Sequence, residues 1–585
     1  MDVADWLRKL GLGQYESAFH ANDVDAEVLR KLTTEDLIAI GVTSVGHRRR
    51  LLDAIAALGS KAPASPEAPV RAEAERRQLT VMFCDLVGST PLSTRLDPED
   101  LREVIAAFHH AVAEVVGSFD GFVAKYMGDG VLIYFGYPRA HEDDAERAIR
   151  AGLGVTDAVR RLDVGSVKLR ARVGIATGLV VVGDLIGEGS AREQSVVGET
   201  PNLASRLQGL AEPGSVVIAA STRRLVGGLF EYRDLGAVDL KGIVEPVPAW
   251  QVLRPSVVAS RFEAMHGSLL SPLFGRDEEI DLLLRRWAHA RAGDGQIVLV
   301  SGEPGIGKSR ITMELQALLQ AERHFRQSYF CSPYRQDSAL YPFIDQIGRA
   351  AGFTPVDSPA SKLEKLETLL VRGAPPDEDV ALLADLLSLP VSERSLLPNL
   401  SGRQKKEKTL EALIGRLESL ARRRPVVVIL EDTHWIDPTS RELLDLTVGR
   451  IRNLRVLLIL TFRPEFQPPW AGQPQVTMLA LNRLDQRSQT AFVTQIVGGK
   501  TLPDDLVAQI IERTDGVPLF VEELTRSVLE SGLLREEEDH YVLEGPLPAL
   551  AIPTSLHDSL MARLDRLGSA RHVAQIGAGF GRWFR

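Results

Sequence analysis

The sequence predicts a multidomain chain: an all-α bundle, then a sheet with helices packed on one face, then an α/β domain that ends in a helical segment. Three observations carry this reading. At 585 residues the chain is too long for one core and requires about three to five domains. Apolar residues recur at helical spacing through residue 60, whereas strand-like and helix-like stretches alternate from Leu79 onward. Near residue 300 an apolar strand runs into a glycine-rich loop and a helix, the setting in which a chain cradles phosphates.

Composition narrows the function classes. Hydrophobic residues make up 44% and charged residues 25%, an ordinary globular balance. The formal net charge of −10 argues against nonspecific nucleic-acid binding, which needs a basic face. No apolar run approaches the roughly 20 residues that span a bilayer, and MDVADWLRKLGLGQ lacks the apolar centre of a signal peptide. Cys84 and Cys331 are the two cysteines and neither has a CxxC partner, which excludes a disulfide scaffold or a cysteine-based zinc site. The expectation is a cytoplasmic protein with no membrane and no nucleic-acid partner.

Residues 1–60 read as short helices, with Trp6, Leu7 and Leu10 on one face, then Tyr15 and Phe19, then Leu29 and Leu32. Thr33-Thr34-Glu35-Asp36 has the chemistry of a helix start, and Gly41-Val42 ends that helix. Trp6, Leu12, Tyr15, Phe19, LTTEDLIAIGV and the closing GHRRRLLDAI together resemble a SAM domain, which implies self- or partner association. Arg48, Arg49 and Arg50 read as a solvated helix face rather than an RNA contact. Residues 61–75, KAPASPEAPVRAEAE, form a linker rich in Pro, Ala and Glu.

In the next stretch, Thr80 to Cys84 has the β-branched and aromatic content of a buried strand and delivers Asp85 at its end. Gly128-Asp129-Gly130 between two apolar runs predicts a tight hairpin with Asp129 at its tip. Two strand-end carboxylates brought together would suit Mg²⁺ or Mn²⁺. Taken singly, Asp85 is equally a strand terminator and Asp129 equally a turn residue. Leu101, Val104, Ile105, Phe108, Val112 and Val115 form the apolar stripe of a helix over Glu99–Val116. A helix from about Asp143, a strand at Leu169–Ala176 and another at Leu179–Gly183 follow. Thr200 as N-cap and Pro201 as first helical residue start a further helix, on which Asn202 and Arg206 share one face near the positive end. An amide and a guanidinium aimed together suit a polyphosphate or ribose oxygen; alone, they equally describe a capped helix with a surface arginine.

FCDLVGST, KYMGDG, ARVGIATG and VVGETPNLASRL occur in this order over residues 76–252, which together resemble the class III nucleotidyl cyclase domain. The resemblance implies an α+β ferredoxin-like fold and conversion of ATP to cyclic AMP and pyrophosphate with two Mg²⁺ or Mn²⁺ ions per site. Asp85 and Asp129 match its metal-binding aspartates, Asn202 its ribose-positioning asparagine and Arg206 its transition-state arginine. Lys125 matches the purine-reading lysine. Ser195 stands where many adenylyl cyclases have an aspartate; its hydroxyl still accepts from an adenine amino group, so with Lys125 it favours ATP over GTP. In the family, Ser or Thr there marks a subclass with soluble, bicarbonate-responsive members. One such domain is present, and family sites draw the aspartates from one domain and the Lys, Asn and Arg from its partner, so a homodimer is implied. The rival readings are a guanylate cyclase and a catalytically silent domain in an ATP-switched scaffold.

After a linker at 253–270, LFGRDEE precedes a helix, and the strand IVLV leads into Gly302-Glu303-Pro304-Gly305-Ile306-Gly307-Lys308-Ser309, a P-loop. Backbone N–H groups freed by Gly302, Gly305 and Gly307 wrap phosphates, Lys308 bridges the terminal ones and Ser309 holds Mg²⁺. VVVILED supplies Glu431 and Asp432 at the end of a buried strand, one for Mg²⁺ and one for attacking water, with their order open. VLLILTFRPEF sets Arg463 either as a γ-phosphate sensor or as a loop ion-pair residue, and Gly516-Val517-Pro518 is expected near the adenine. FGRDEE, GEPGIGKS, VVVILEDTHWID, TFRPEF and GVPLF resemble the STAND class of AAA-like ATPases. That implies an ATPase domain at 271–485 with ATP and Mg²⁺ at the P-loop, slow hydrolysis and control over the cyclase. Residues 486–585 would be a helical lid and the start of a winged-helix segment, cut short either naturally or by truncation.

Overall fold

The computed structural model describes residues 3–22, 24, 28–42, 44, 47–52, 54, 75–93, 96–162, 168–185, 193–243, 245–256, 272–354, 357–371, 376–390, 400–545, 554–566, 570, 571, 573 and 574. The expected linkers lie outside these residues except at their ends: Glu75 pairs with Val182, and Arg254 and Pro255 pair with Glu231 and Phe230. Both ends belong to strands because a neighbouring strand satisfies their backbone groups.

Met1–Ala74 and Glu75–Arg585 are separate compact units. In the first, helices Val3–Lys9, Glu16–Ala21 and Thr34–Ala39 contribute Leu7, Phe19 and Leu37 to a core with Leu12, Leu29, Val42 and Leu51. Thr33 caps the third helix, and Asp36 returns the bond to the Thr33 N–H, the reciprocal box expected from TTED.

Among the described residues, the second unit holds two large sheets and a two-stranded one formed by Leu534–Glu536 and Tyr541–Leu543. The first has eight strands: β1 (Glu75–Leu86), β2 (Phe122–Met127), β3 (Gly130–Phe135), β4 (Ala171–Leu185), β5 (Glu193–Val197), β6 (Val216–Ala219), β7 (Phe230–Val238) and β8 (Val247–Pro255). Their order is β2-β3-β1-β4-β6-β8-β7, with β5 paired to β4 off this path. Side chains alternate along β1 as a two-residue period demands. Met82, Cys84 and Leu86 face a core with Val104, Phe108 and Val112 of helix Pro98–Ser118 and Ala148, Val155 and Val159 of helix Asp144–Arg161. Leu79 and Val81 face the other side, where Ala204 and Leu207 of helix Glu199–Leu210 pack.

Three expectations change here. Helices cover both faces of the sheet rather than one, because glycine at 174 in β4 lets the Glu199–Leu210 helix seat directly on the strand. The stretches Leu169–Ala176 and Leu179–Gly183 form one strand, since β1 pairs along it without a break from Leu86↔Ala171 to Glu75↔Val182. The following helix starts at Glu199 with Gly198 as its N-cap, and Thr200 is buried over Gly178 instead of capping.

The second sheet is parallel throughout: β9 (Gln296–Ser301), β10 (Phe325–Phe330), β11 (Val426–Glu431), β12 (Val456–Phe462) and β13 (Val476–Ala480), in the order β10-β11-β12-β9-β13. Its central strands are buried on both faces, which is why IVLV, VVVIL and VLLIL are unbroken apolar runs. Helices Asp277–Ala292 and Lys308–Leu318 cover one face; Gly402–Arg423 and Pro438–Arg450 cover the other. Helices Gln486–Ile496, Asp504–Thr514 and Pro518–Glu530 then form a bundle around Val493, Leu506, Ile510 and Val521. Helix Thr554–Arg566 seats Leu556 against Val517 and Phe520. Among the described residues no helix is long and apolar enough to cross a membrane.

Candidate functional site

The β1–β3 register sets Asp85 opposite Gly130, so Asp129 at the hairpin tip becomes its neighbour on the adjoining strand end. The Leu86 N–H donates to the Asp129 carbonyl at 3.0 Å, which locks the tip against β1. The Ser89 hydroxyl donates to Asp129 Oδ2. Asp85 Oδ2 accepts from Arg172 Nη2 at 2.9 Å and from Gln208 Nε2 at 3.0 Å. Burial raises the pKa of Asp85 and the Asp129 charge adds to that, while Arg172 and Gln208 oppose it. Two carboxylates that repel each other in a half-buried site are a fitting donor set for a hard divalent cation. Among the described residues no group of three or more His, Cys, Asp or Glu gathers in one place, so such a cation would take its other oxygens from a ligand and water.

Asn202 and Arg206 lie on the same side of the Glu199–Leu210 helix and are both exposed, whereas Ala204 and Leu207 face the sheet. Gln208, two positions after Arg206 and so on the opposite side, turns inward to Asp85. Lys125 is exposed on β2, beside the exposed apolar side chains of Tyr126 and Met127. Leu179 on β4 is 56% exposed, an apolar side chain left uncovered by its own chain. Ser195 lies on β5, paired with Gly183 of β4. Within one chain, then, Asp85 and Asp129 come together, while Lys125, Asn202 and Arg206 point outward.

The P-loop follows β9. Gly305 (φ 78°) and Gly307 (φ 102°) take left-handed conformations that L side chains resist. A Cβ on Gly305 would meet Leu519 Cβ at 2.9 Å, and the Leu519 N–H donates to the Gly305 carbonyl at 3.2 Å. The GVPLF segment therefore braces the loop itself. A Cβ on Gly302 would meet Ile306 Cγ2 at 2.6 Å. Lys308 is buried and donates to the Gly302 and Glu303 carbonyls at 2.8 and 3.0 Å; burial pushes its ammonium down to about 8. Ser309 Oγ donates to Glu431 Oε2 at 2.7 Å, and Thr312 Oγ1 lies 3.4 Å from Oε1. Burial, with the charge of Asp432 beside it, pushes Glu431 up to about 7. Asp432 adopts a left-handed conformation (φ 56°) that separates its direction from that of Glu431, and its charge acts on Lys308. Arg463 follows β12, with its guanidinium 5.2 Å from the Trp435 ring centroid.

Sequence reasoning missed three residues at these sites. Arg172 is the one basic residue of β4, but its partner Asp85 is revealed only by the β1–β4 register. Gln208 lies past the end of the VVGETPNLASRL stretch. Arg276, in FGRDEE, is buried and donates to the Ile306 carbonyl at 3.3 Å, which ties that segment to the P-loop.

Comparison with known proteins agrees with this division. Residues 1–59 match the SAM (sterile alpha motif) domain, 72–253 the adenylate and guanylate cyclase catalytic domain, and 272–459 the AAA ATPase domain. An uncharacterized protein of Rhizobium meliloti is 33% identical over 514 residues, covering 86% of this chain and 48% of its own. Adenylate cyclase type 10 of Rattus norvegicus is 22% identical over 486 residues, covering 78% of this chain and 28% of its own. The chain thus spans about half the length of the first relative and under a third of the second. The crystal structure of the adenylyl cyclase CyaB from P. aeruginosa is 29% identical, covers 32% of this chain and 97% of its own, and has a TM-score of 0.30. In chain order, the chain matches a SAM domain, an adenylate and guanylate cyclase catalytic domain and an AAA ATPase domain, with adenylate cyclases among its relatives.

Proposed function

We propose that the protein is an adenylate cyclase that converts ATP to 3′,5′-cyclic AMP and pyrophosphate at sites shared across a homodimer. The observation that carries this reading is the split of one site into two halves. Asp85 and Asp129 adjoin each other within the chain, while Asn202 and Arg206 face outward from a helix whose inner face reaches Asp85 through Gln208. The uncovered Leu179, Tyr126 and Met127 supply apolar area for a second copy. The β1–helix–β2–β3–helix–β4 core in the order β2-β3-β1-β4 supports the ferredoxin-like assignment.

In the mechanism, Asp85 and Asp129 would hold Mg²⁺ or Mn²⁺, which supply charge neutralisation for the triphosphate and acidify the attacking 3′-hydroxyl. Arg172 and Gln208 fix the Asp85 carboxylate in place and oppose the upward pull of burial on its pKa. The partner protomer's Asn202 orients the ribose and its Arg206 offers preorganised positive charge to the phosphates. Lys125 and Ser195 read the purine, and together with the adenylate cyclases among the relatives they support ATP over GTP.

The P-loop domain, residues 271–485 in this reading, binds ATP with Mg²⁺ and acts as a STAND-type switch that modulates the cyclase. Glu431, bonded to Ser309, belongs to the metal side; Asp432, whose charge acts on Lys308, is the candidate for orienting water. The SAM domain supports association between chains. The test is product identity from purified full-length protein with Mn²⁺ and either ATP or GTP. Cyclic AMP is expected. Cyclic GMP as the main product would assign a guanylate cyclase, and no product from a folded dimer would leave an ATP-switched scaffold.

A further inference from the structure

The loop between β3 and helix Asp144–Arg161 is one place where the cyclase and ATPase halves of the Glu75–Arg585 unit meet. Glu142, in that loop, receives both guanidinium nitrogens of Arg463, Nη2 to Oε2 at 2.8 Å and Nη1 to Oε1 at 3.2 Å. The pair is largely enclosed, with Arg463 16% and Glu142 20% exposed. The next residue, Asp143, accepts from the Tyr334 hydroxyl, and Arg147 and Arg150 stack on the Tyr334 ring at 5.4 and 5.1 Å. On the other side of the loop, the Ala140 N–H donates to Asp565 at 2.8 Å. Asp565 also pairs with the buried Arg77 of β1 at 3.2 Å. The helix that carries Asp565 touches the P-loop as well, through Arg563 Nη2 to the Pro304 carbonyl at 3.2 Å.

We propose that Glu142 competes with the γ-phosphate of P-loop ATP for Arg463, so that ATP binding there and docking of the β3-end loop on the ATPase domain oppose each other. A two-pronged guanidinium accepts a carboxylate or a phosphate with the same geometry, and one arginine at the end of β12 cannot serve both fully. Phe462, the residue before Arg463, pairs with Ser301, and its carbonyl accepts from the Gly302 N–H at 3.3 Å, so the arginine follows directly on the strand end that adjoins the start of the P-loop. ATP therefore gains Arg463 only by taking it from Glu142. β3 runs from Gly130, the residue after Asp129, directly into the docked loop, so release of the loop acts on the strand whose start adjoins that carboxylate. Linkage is reciprocal: whatever weakens docking tightens ATP, and ATP weakens docking.

The inference rests on the P-loop being an ATP site, and the test separates the two. Equilibrium binding of Mg-ATP and Mg-ADP is measured on the full chain, with the component lost in Lys308→Ala taken as P-loop binding. Glu142→Gln is expected to tighten that component about five-fold or more for ATP while ADP stays within about two-fold. Tyr334→Phe, which removes only the hydroxyl on Asp143, is expected to shift ATP in the same direction by a smaller factor. Unchanged or weaker ATP binding in Glu142→Gln overturns the competition. Equal tightening of ATP and ADP overturns its assignment to the γ-phosphate. No Lys308-dependent binding in the wild type overturns the ATP-site reading and the competition with it.

Discussion

Substituting Gly174 by alanine tests whether the cyclase site depends on how closely one helix rests on β4. Gly174 pairs with Phe83 of β1 and lies directly beneath helix Glu199–Leu210. A Cβ there would stand 2.1 Å from Gln208 N, 2.3 Å from the Ala204 carbonyl oxygen and 2.7 Å from Gln208 Cα. All three are backbone atoms, so no rotamer change relieves them. Reaching ordinary contact near 3.5 Å from 2.1 Å requires the helix to lift by about 1.4 Å. That helix carries Asn202, Arg206 and Gln208, and a misplacement of about 1 Å in positioning groups costs about 10²-fold in rate. Overpacking adds about 1–3 kcal/mol of destabilisation, which a folded variant survives. The assay is initial-rate cyclic AMP formation, with kcat separated from KM, alongside thermal unfolding. Gly178→Ala is the internal control: its Cβ would meet a side-chain atom, Thr200 Oγ1, at 2.5 Å, and the next contacts are at 3.7 Å. Rotating one hydroxyl costs about 1 kcal/mol, so a loss of up to about tenfold is expected. A folded Gly174→Ala protein with kcat within about threefold of wild type, or a Gly178→Ala protein equally damaged, would refute the reasoning.

Other outcomes follow from the same geometry. Asp85→Ala and Arg206→Ala should each be inactive alone and regain partial activity when mixed, measured as cyclic AMP from the mixture; no recovery between folded, dimeric partners refutes a shared site. Arg172→Ala removes the guanidinium that opposes the raised pKa of Asp85, so the acid limb of the kcat/KM profile should move to higher pH, and an unmoved limb refutes the coupling. Glu431 has a folded-state pKa raised from 4.5 to about 7, so its contribution to stability is complete below its ordinary pKa and is lost as pH rises through about 7. In chelator, the Tm of Glu431→Gln should gain on wild type between about pH 5 and about pH 8; a constant difference refutes the assignment.

Residues whose structure is set by their near neighbours were legible in the sequence. The Thr33 capping box, the Asp129 hairpin and the P-loop glycines each depend on fewer than about ten consecutive residues. Features set by distant partners were not. Thr177-Gly178 looks like a break between two strands, yet β1 pairs straight across it. Thr200 has the chemistry of an N-cap, but burial over Gly178 claims it first. The order of Glu431 and Asp432 stays open in the sequence because the two adjoin, and the left-handed backbone of Asp432 is visible only in the fold. Arg172 on Asp85 and Glu142 on Arg463 are pairings between remote segments, for which local pattern carries no signal.

The parallel sheet also has a bearing on how the chain is made. Its first strand β9 pairs with β12 and β13, so Val298 waits for Ile459 and Thr477, whereas Phe83 of β1 finds Leu132 and Gly174 much sooner. The longer loop adds only about 0.6 kcal/mol per doubling of length, but such non-local pairing is slow. During synthesis the cyclase half can close its sheet while IVLV still has two bare edges, each a template for another nascent chain. Glu142 and Asp143 then stand on a finished surface before Arg463 is translated, so the ATPase half completes itself against a partner that is already folded. A ribosome pause between β9 and β12 would be the moment of greatest aggregation risk for this protein.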